Sequence, residues 1–121
     1  MPITVRNAAD VVPEVRPSIH GGDGSFEMRF VYGNQELVSA LRVFELCRLP
    51  PGTSIGEHLH DETEEIYFIL SGVGTMDLDG TPRDVHAGDV VLTQPMSRHG
   101  IRNTGTADLE LLIVEVAVAP S

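Results

Sequence analysis

The 121-residue sequence holds one cysteine, Cys47, no tryptophan, and only eight basic residues against eighteen acidic ones. A single thiol excludes an internal disulfide and fits a reducing compartment. A formal charge of −10 sets the surface against polyanions, so neither nucleic acid nor an anionic membrane is expected as a partner. Long apolar runs are missing too. The longest, such as Ile66 to Leu70, have about five residues where a membrane-spanning helix needs roughly twenty. The opening Met-Pro-Ile-Thr-Val-Arg has neither the basic nor the apolar region of a secretion signal, which leads to the expectation of a cytoplasmic protein.

What is present is the material of one domain. Apolar residues make up 41% and charged residues 21% of the chain, and a chain this long buries roughly two thirds of its unfolded surface without staples. Twelve glycines and eight prolines cut it into short pieces. Pro13, Pro17 and Gly21-Gly22-Asp23-Gly24-Ser25 forbid a long helix near the start, so residues 1–25 read as an extension, able to be exchanged with or added to another sheet. From there to residue 118 a single barrel domain is expected. Phe26 to Tyr32 and Val38 to Leu46 alternate as strands do, with Gly33-Asn34 between them. Leu49-Pro50-Pro51-Gly52 stops the chain, and Asp79-Gly80 after Val73 to Leu78 is a hairpin signal. Val90 to Thr93, Gly100 to Asn103 and Leu109 to Val118 complete seven to ten strands. Their spacing of roughly ten residues predicts an all-β sandwich or barrel rather than the competing helical bundle.

Three histidines and a glutamate stand out. His58 and His60 are two residues apart, which on a strand sends both side chains to one face. Glu65 opens the next apolar run and shares a face with Tyr67 and Ile69, while Ile66, Phe68 and Leu70 take the other. A carboxylate buried there has to be neutralised, paired or bound to a cation. His99 begins a later strand. Three imidazoles and one carboxylate suit Mn, Fe, Co, Ni, Zn or Cu rather than Ca or Mg, and leave room for water, dioxygen or a chelating ligand. Metal held this way is expected to leave as the imidazoles protonate, near pH 6, from a barrel that stays folded.

These residues also resemble a known family. Gly52-x5-His58-x-His60-x4-Glu65-x6-Gly72 is similar to the first motif of the cupin superfamily at each defining position. Gly88-Asp89, with His99 eleven residues after the glycine and Asn103 after three more, is similar to the second. The chain departs from that pattern where the family has Pro-x-Gly, carrying Gln94 and Met96 there with Pro95 between them. The resemblance implies a double-stranded β-helix, or jelly-roll barrel, holding one divalent metal in its lumen on His58, His60, Glu65 and His99. Glu64 is the rival carboxylate, and Glu65 is preferred because it keeps the six-residue gap to Gly72.

The remaining candidates each have two readings. Tyr67 is either a catalytic acid/base beside the metal or a packed tyrosine. Arg98 and Arg102 either hold a substrate carboxylate or phosphate at the barrel mouth or pair with the acidic surface. Asn103 stands behind His99, orienting it or its strand. His20 and His86 are read as solvated, Cys47 as a small buried residue, and Glu115 as a distant second proton-transfer group.

Two classes of function remain. One is a metal-dependent enzyme acting on a small carboxylate, sugar or polyketide-like molecule, since small cupins of similar pattern include isomerases, epimerases, dioxygenases and decarboxylases. The other is a module that binds metal and a small ligand without turnover. A homodimer is expected, with the segment before Phe26 available to join a partner's sheet.

Overall fold

A computed structural model describes residues 3–33 and 35–118 of the chain, so Asn34 of the expected Gly33-Asn34 break lies outside the described residues. Ten strands run through them: β1 (Glu14–Pro17), β2 (Ser25–Tyr32), β3 (Leu41–Leu49), β4 (Ser54–His60), β5 (Thr63–Ser71), β6 (Val73–Leu78), β7 (Thr81–His86), β8 (Val90–Thr93), β9 (Ser97–Asn103) and β10 (Leu109–Ala117). The helical content is two short 3-10 turns, Ala8–Asp10 and Ile19–Gly21. No helix among the described residues is long and apolar enough to cross a membrane.

The strands pair antiparallel in two sheets of order β1-β2-β3-β10-β5-β8 and β4-β9-β6-β7. This is the double-stranded β-helix the motifs implied. The Asp79-Gly80 turn adopts the left-handed geometry of a tight hairpin, φ 52° and 88°, which brings β6 against β7. The strand expected at Val38 to Leu46 starts and ends three residues later, and it is the Pro50-Pro51 stop that ends it.

Cross-strand rows explain where the core ends and the lumen begins. On the six-stranded sheet, Leu49 faces Leu109, and Cys47, Leu111 and Ile69 form the next row. Glu45, Ile113 and Tyr67 follow, then Val43, Glu115 and Glu65. Side chains therefore change from wholly apolar to acidic along one direction of the sheet. Opposite them Ile55, Ile101 and Met76 make an apolar row, and His58, His99 and Leu78 the next. The apolar rows close one end of the barrel, with Leu49, Ile69, Met76, Leu109 and Leu111 fully buried, and supply the burial that stabilises it. The polar rows leave the other end open.

The strand parity of β5 is as expected: Glu65, Tyr67 and Ile69 point inward and are buried, while Phe68 and Leu70 point out at 39% and 44% exposure. β1, which no alternation signalled, pairs with β2 of its own chain from Glu14↔Met28 to Pro17↔Ser25.

The turn before His99 resolves the departure at Met96. Met96 takes a left-handed φ of 72° at the position where the family pattern has glycine, and its N–H donates to the carbonyl of His60. Its side chain is 71% exposed, so the strain is not offset by packing. Replacing it should relieve more backbone strain than the entropy a glycine loses on folding. Met96→Gly is expected to stabilise the protein by about 1 kcal/mol in a urea melt; an equal loss would contradict the strain.

Candidate metal centre

The centre is built from both sheets. β4 supplies His58 and His60, β9 supplies His99, and β5 supplies Glu65 from the facing sheet. His58 and His99 are direct partners in the β4–β9 ladder, which fixes their rings side by side. Each imidazole is then aimed by its Nδ1 atom. That of His58 lies 2.8 Å from the carbonyl oxygen of Gly56, that of His60 2.9 Å from Thr63 Oγ1, and that of His99 2.9 Å from Thr93 Oγ1. With Nδ1–H donating outward, all three Nε2 lone pairs face the lumen, the tautomer a metal needs.

The inner atoms converge. The three Nε2 atoms lie 2.9, 3.0 and 3.1 Å from one another, and Glu65 Oε1 lies 3.1 Å from His60 Nε2 and 3.0 Å from His99 Nε2. All four donor atoms fit within 4.8 Å. Adjacent ligands of an octahedral ion with bonds of about 2.1 Å sit about 3.0 Å apart, whereas tetrahedral ligands at that bond length sit about 3.4 Å apart. The spacing fits the first. Glu65 Oε1 is buried with no hydrogen-bond partner, an orphan that a cation would satisfy. The residues present therefore fit a divalent transition ion.

Burial sets the proton affinities. It lowers the His58 and His99 pKa values to about 4 and, against the pull of His60, raises Glu65 to about 7. Burial raises Glu45 to about 7 as well, with the charge of Glu65 adding to it, and pushes the Cys47 thiol up. The hydroxyl of Tyr67, wholly buried, is held well above its usual range by burial and by Glu65.

The other candidates fall in distinct places. Tyr67 is inside, its ring 4.9 Å from that of His99 and its hydroxyl interacting with Glu65. Arg98 and Arg102 lie outside the lumen: Arg98 Nε donates to Glu57 at 3.0 Å, and Arg102 donates to Asp23 Oδ2 at 2.6 Å and to the Gly52 carbonyl at 3.0 Å. The amide of Asn103 donates to the carbonyls of Leu49 and Ala107 and accepts from Gly105 N–H, fixing the end of β9. Glu64 points away from the centre, and His86 pairs with Asp89 on the surface.

Three lumen residues went unseen or were set aside in the sequence. Glu45 sits on an alternating strand whose inner face is otherwise apolar, and only the partner rows reveal which face is inner. Glu115, ranked well behind Tyr67 as a proton-transfer group, stands directly opposite Glu65 on β10. His20, read as solvated, stacks on His58 with ring centroids 3.8 Å apart and planes 13° from parallel. Together these residues line a cavity of about 450 Å³, a size suited to a small organic ligand.

The chain is similar to known proteins. The cupin-domain family model matches residues 45–115. The chain is 37% identical over 110 residues to an oxalate-binding protein of Thermotoga maritima, covering 91% of each. It superposes with a TM-score of 0.92 on a solved structure from the same organism, described as a predicted oxalate decarboxylase, at 36% identity and over 95% of this chain and all of that one. Protein SchB of Streptomyces halstedii is 34% identical over 70 residues, 58% of this chain and 51% of its own.

Burial keeps His58 and His99 free of a competing proton down to about pH 4, so protonation of these two rings is not what would release metal near pH 6. Between about pH 5 and 7 Glu65 holds a proton that a metal ion would displace, so binding should release it and affinity should rise with pH across that range. Titration of Co2+ calorimetrically near pH 6, in buffers of different ionisation enthalpy, checks this. No proton release near pH 6 would contradict a protonated Glu65 in the metal-free protein.

Proposed function

Because the chain belongs to the cupin family, we propose that it binds a divalent transition metal on His58, His60, Glu65 and His99 and takes a small chelating carboxylate, of the oxalate class, in the lumen above it. The orphaned Glu65 Oε1 among three converging imidazoles carries the metal half of this reading. The oxalate-binding relative supports the ligand half. When bound, the ion supplies Lewis acidity and exchangeable positions for a carboxylate. Tyr67 steadies Glu65 from below rather than trading protons itself, since its hydroxyl stays protonated at any working pH.

A catalytic reading, decarboxylation, is favoured by one observation. Converting oxalate to formate and carbon dioxide consumes one proton, which ends on carbon. Glu45, in the lumen and held near 7, is able to carry a proton there at neutral pH. An isomerase or dioxygenase role has no comparable support. The buried free thiol of Cys47 favours a reducing cytoplasm.

Calorimetry of Co2+- or Mn2+-loaded protein against oxalate tests the binding reading: affinity with metal and none after chelation is expected, and no affinity when loaded would sink it. Formate release that Glu45→Gln abolishes would add catalysis to binding.

We further propose that two copies associate through the outer face of β5 and β8. Phe68 pairs with Val90 and Ile66 with Leu92 across that face, and Phe68, Leu70, Val90 and Leu92 are 39–57% exposed although apolar. β8 is also a sheet edge, so one contact would cover both an apolar patch and free backbone. Light scattering at micromolar concentration should give a dimer, and Leu92→Glu a monomer; a monomeric wild type contradicts the interface.

A further inference from the structure

Glu14 to Gly24 does more than lengthen a sheet. After β1 the chain leaves the six-stranded sheet, turns through Ser18–Gly24 and docks on β4 of the other sheet. Ser54 N–H donates to the Asp23 carbonyl at 3.0 Å, Asp23 N–H donates to Ser54 Oγ at 2.8 Å, and Arg102 holds the Asp23 carboxylate. Two glycines let the backbones touch. A Cβ on Gly22 would lie 2.2 Å from the Ser54 carbonyl oxygen, and one on Gly56 2.0 Å from that of His20. The strap thus joins the two sheets, and its Arg16, Ile19 and His20 line the cavity.

Two non-glycine residues in it, Ser18 (φ 53°) and His20 (φ 51°), adopt left-handed backbone. Such strain at an exposed turn persists only where the surroundings impose it, and it gathers at functional positions. Here its result is the imidazole of His20 laid flat on that of His58, a metal-ligating ring. Beyond the ligands the lumen lining is mainly apolar, and Glu45 and Glu115 are its acidic groups. A carboxylate entering it meets repulsion from those two groups. Among the described lining residues, the donors able to offset that repulsion, apart from the metal ligands and the Tyr67 hydroxyl, are on the strap: Arg16 and His20.

We propose that His20 is a ligand-contacting residue, held at the lumen mouth by the strap Glu14–Gly24, and that its imidazole donates a hydrogen bond to an uncoordinated carboxylate oxygen of a metal-chelating dianion. This rests on the carboxylate-binding reading above and adds to it the residue that recognises the side of the ligand facing away from the metal. The pinning of Asp23 gives Arg102 its role: it fixes the strap rather than the ligand.

The test uses the full chain loaded with Co2+ and oxalate as probe. His20→Ala should weaken oxalate binding by about tenfold while Co2+ affinity stays within about threefold, and His20→Gln, a planar donor, should restore most of the loss. Gly22→Ala, which lifts the whole strap off Ser54, should weaken oxalate as His20→Ala does. Unchanged oxalate affinity in His20→Ala overturns the proposal while leaving the carboxylate reading intact. A parallel loss of Co2+ affinity overturns it too, since His20 would then act only by propping His58. If the wild type binds no oxalate, the carboxylate reading fails, and removal of Co2+ by EDTA decides whether the strap roofs the centre. Removal about tenfold faster in His20→Ala supports a role at the mouth, and an equal rate ends it.

Discussion

Three imidazole nitrogens and a carboxylate oxygen held about 3 Å apart inside a barrel are in conflict unless something positive sits among them. Their lone pairs point at one another because Gly56, Thr63 and Thr93 take the outward ring N–H groups of the three histidines. The fold thus spends three hydrogen bonds on aiming lone pairs inward at Glu65 Oε1, which has no other partner. Burial keeps His58 and His99 neutral well below neutral pH, so protonation of these two rings does not relieve the crowding, and a proton on Glu65 does so only up to about pH 7. A divalent ion does.

The rest of the architecture can be read as support for that constraint. Rows of Leu, Ile and Met seal one end and provide the packing. This packing is separate from the four candidate ligands, unlike in domains whose core is the metal itself. The change from leucine rows to glutamate rows along β3, β10 and β5 marks where the packed core gives way to the lumen. The strap from Glu14 to Gly24 bounds the opposite side, joining the two sheets at the place where the centre opens.

Much of this was legible in the residues. The two-residue spacing of His58 and His60, the lone Glu65 at the head of an apolar strand, and Asp79-Gly80 carry local information, and local geometry honours it. The parity of β5 is legible too, because its inward residues meet the core and the candidate metal centre while its outward ones, though apolar, are exposed. What was not legible depends on distant partners. No alternation marked Glu14–Pro17 as a strand, since it is exposed on both faces and exists through its ladder with β2. His20 looked solvated because its contact with His58 spans 38 residues of sequence and passes through two glycines. Glu45 resembled any surface acid until the rows showed its face turned inward. Arg98 and Arg102, flanking His99, alternate away from it, and the structure places their partners on the surface.

The centre itself is tested most directly by anomalous diffraction from crystals grown with Mn2+. One ion is expected at full occupancy, within about 2.0–2.3 Å of His58, His60 and His99 Nε2 and of Glu65 Oε1. An ion bound elsewhere, or one reached by fewer than three of these imidazoles, would contradict the account.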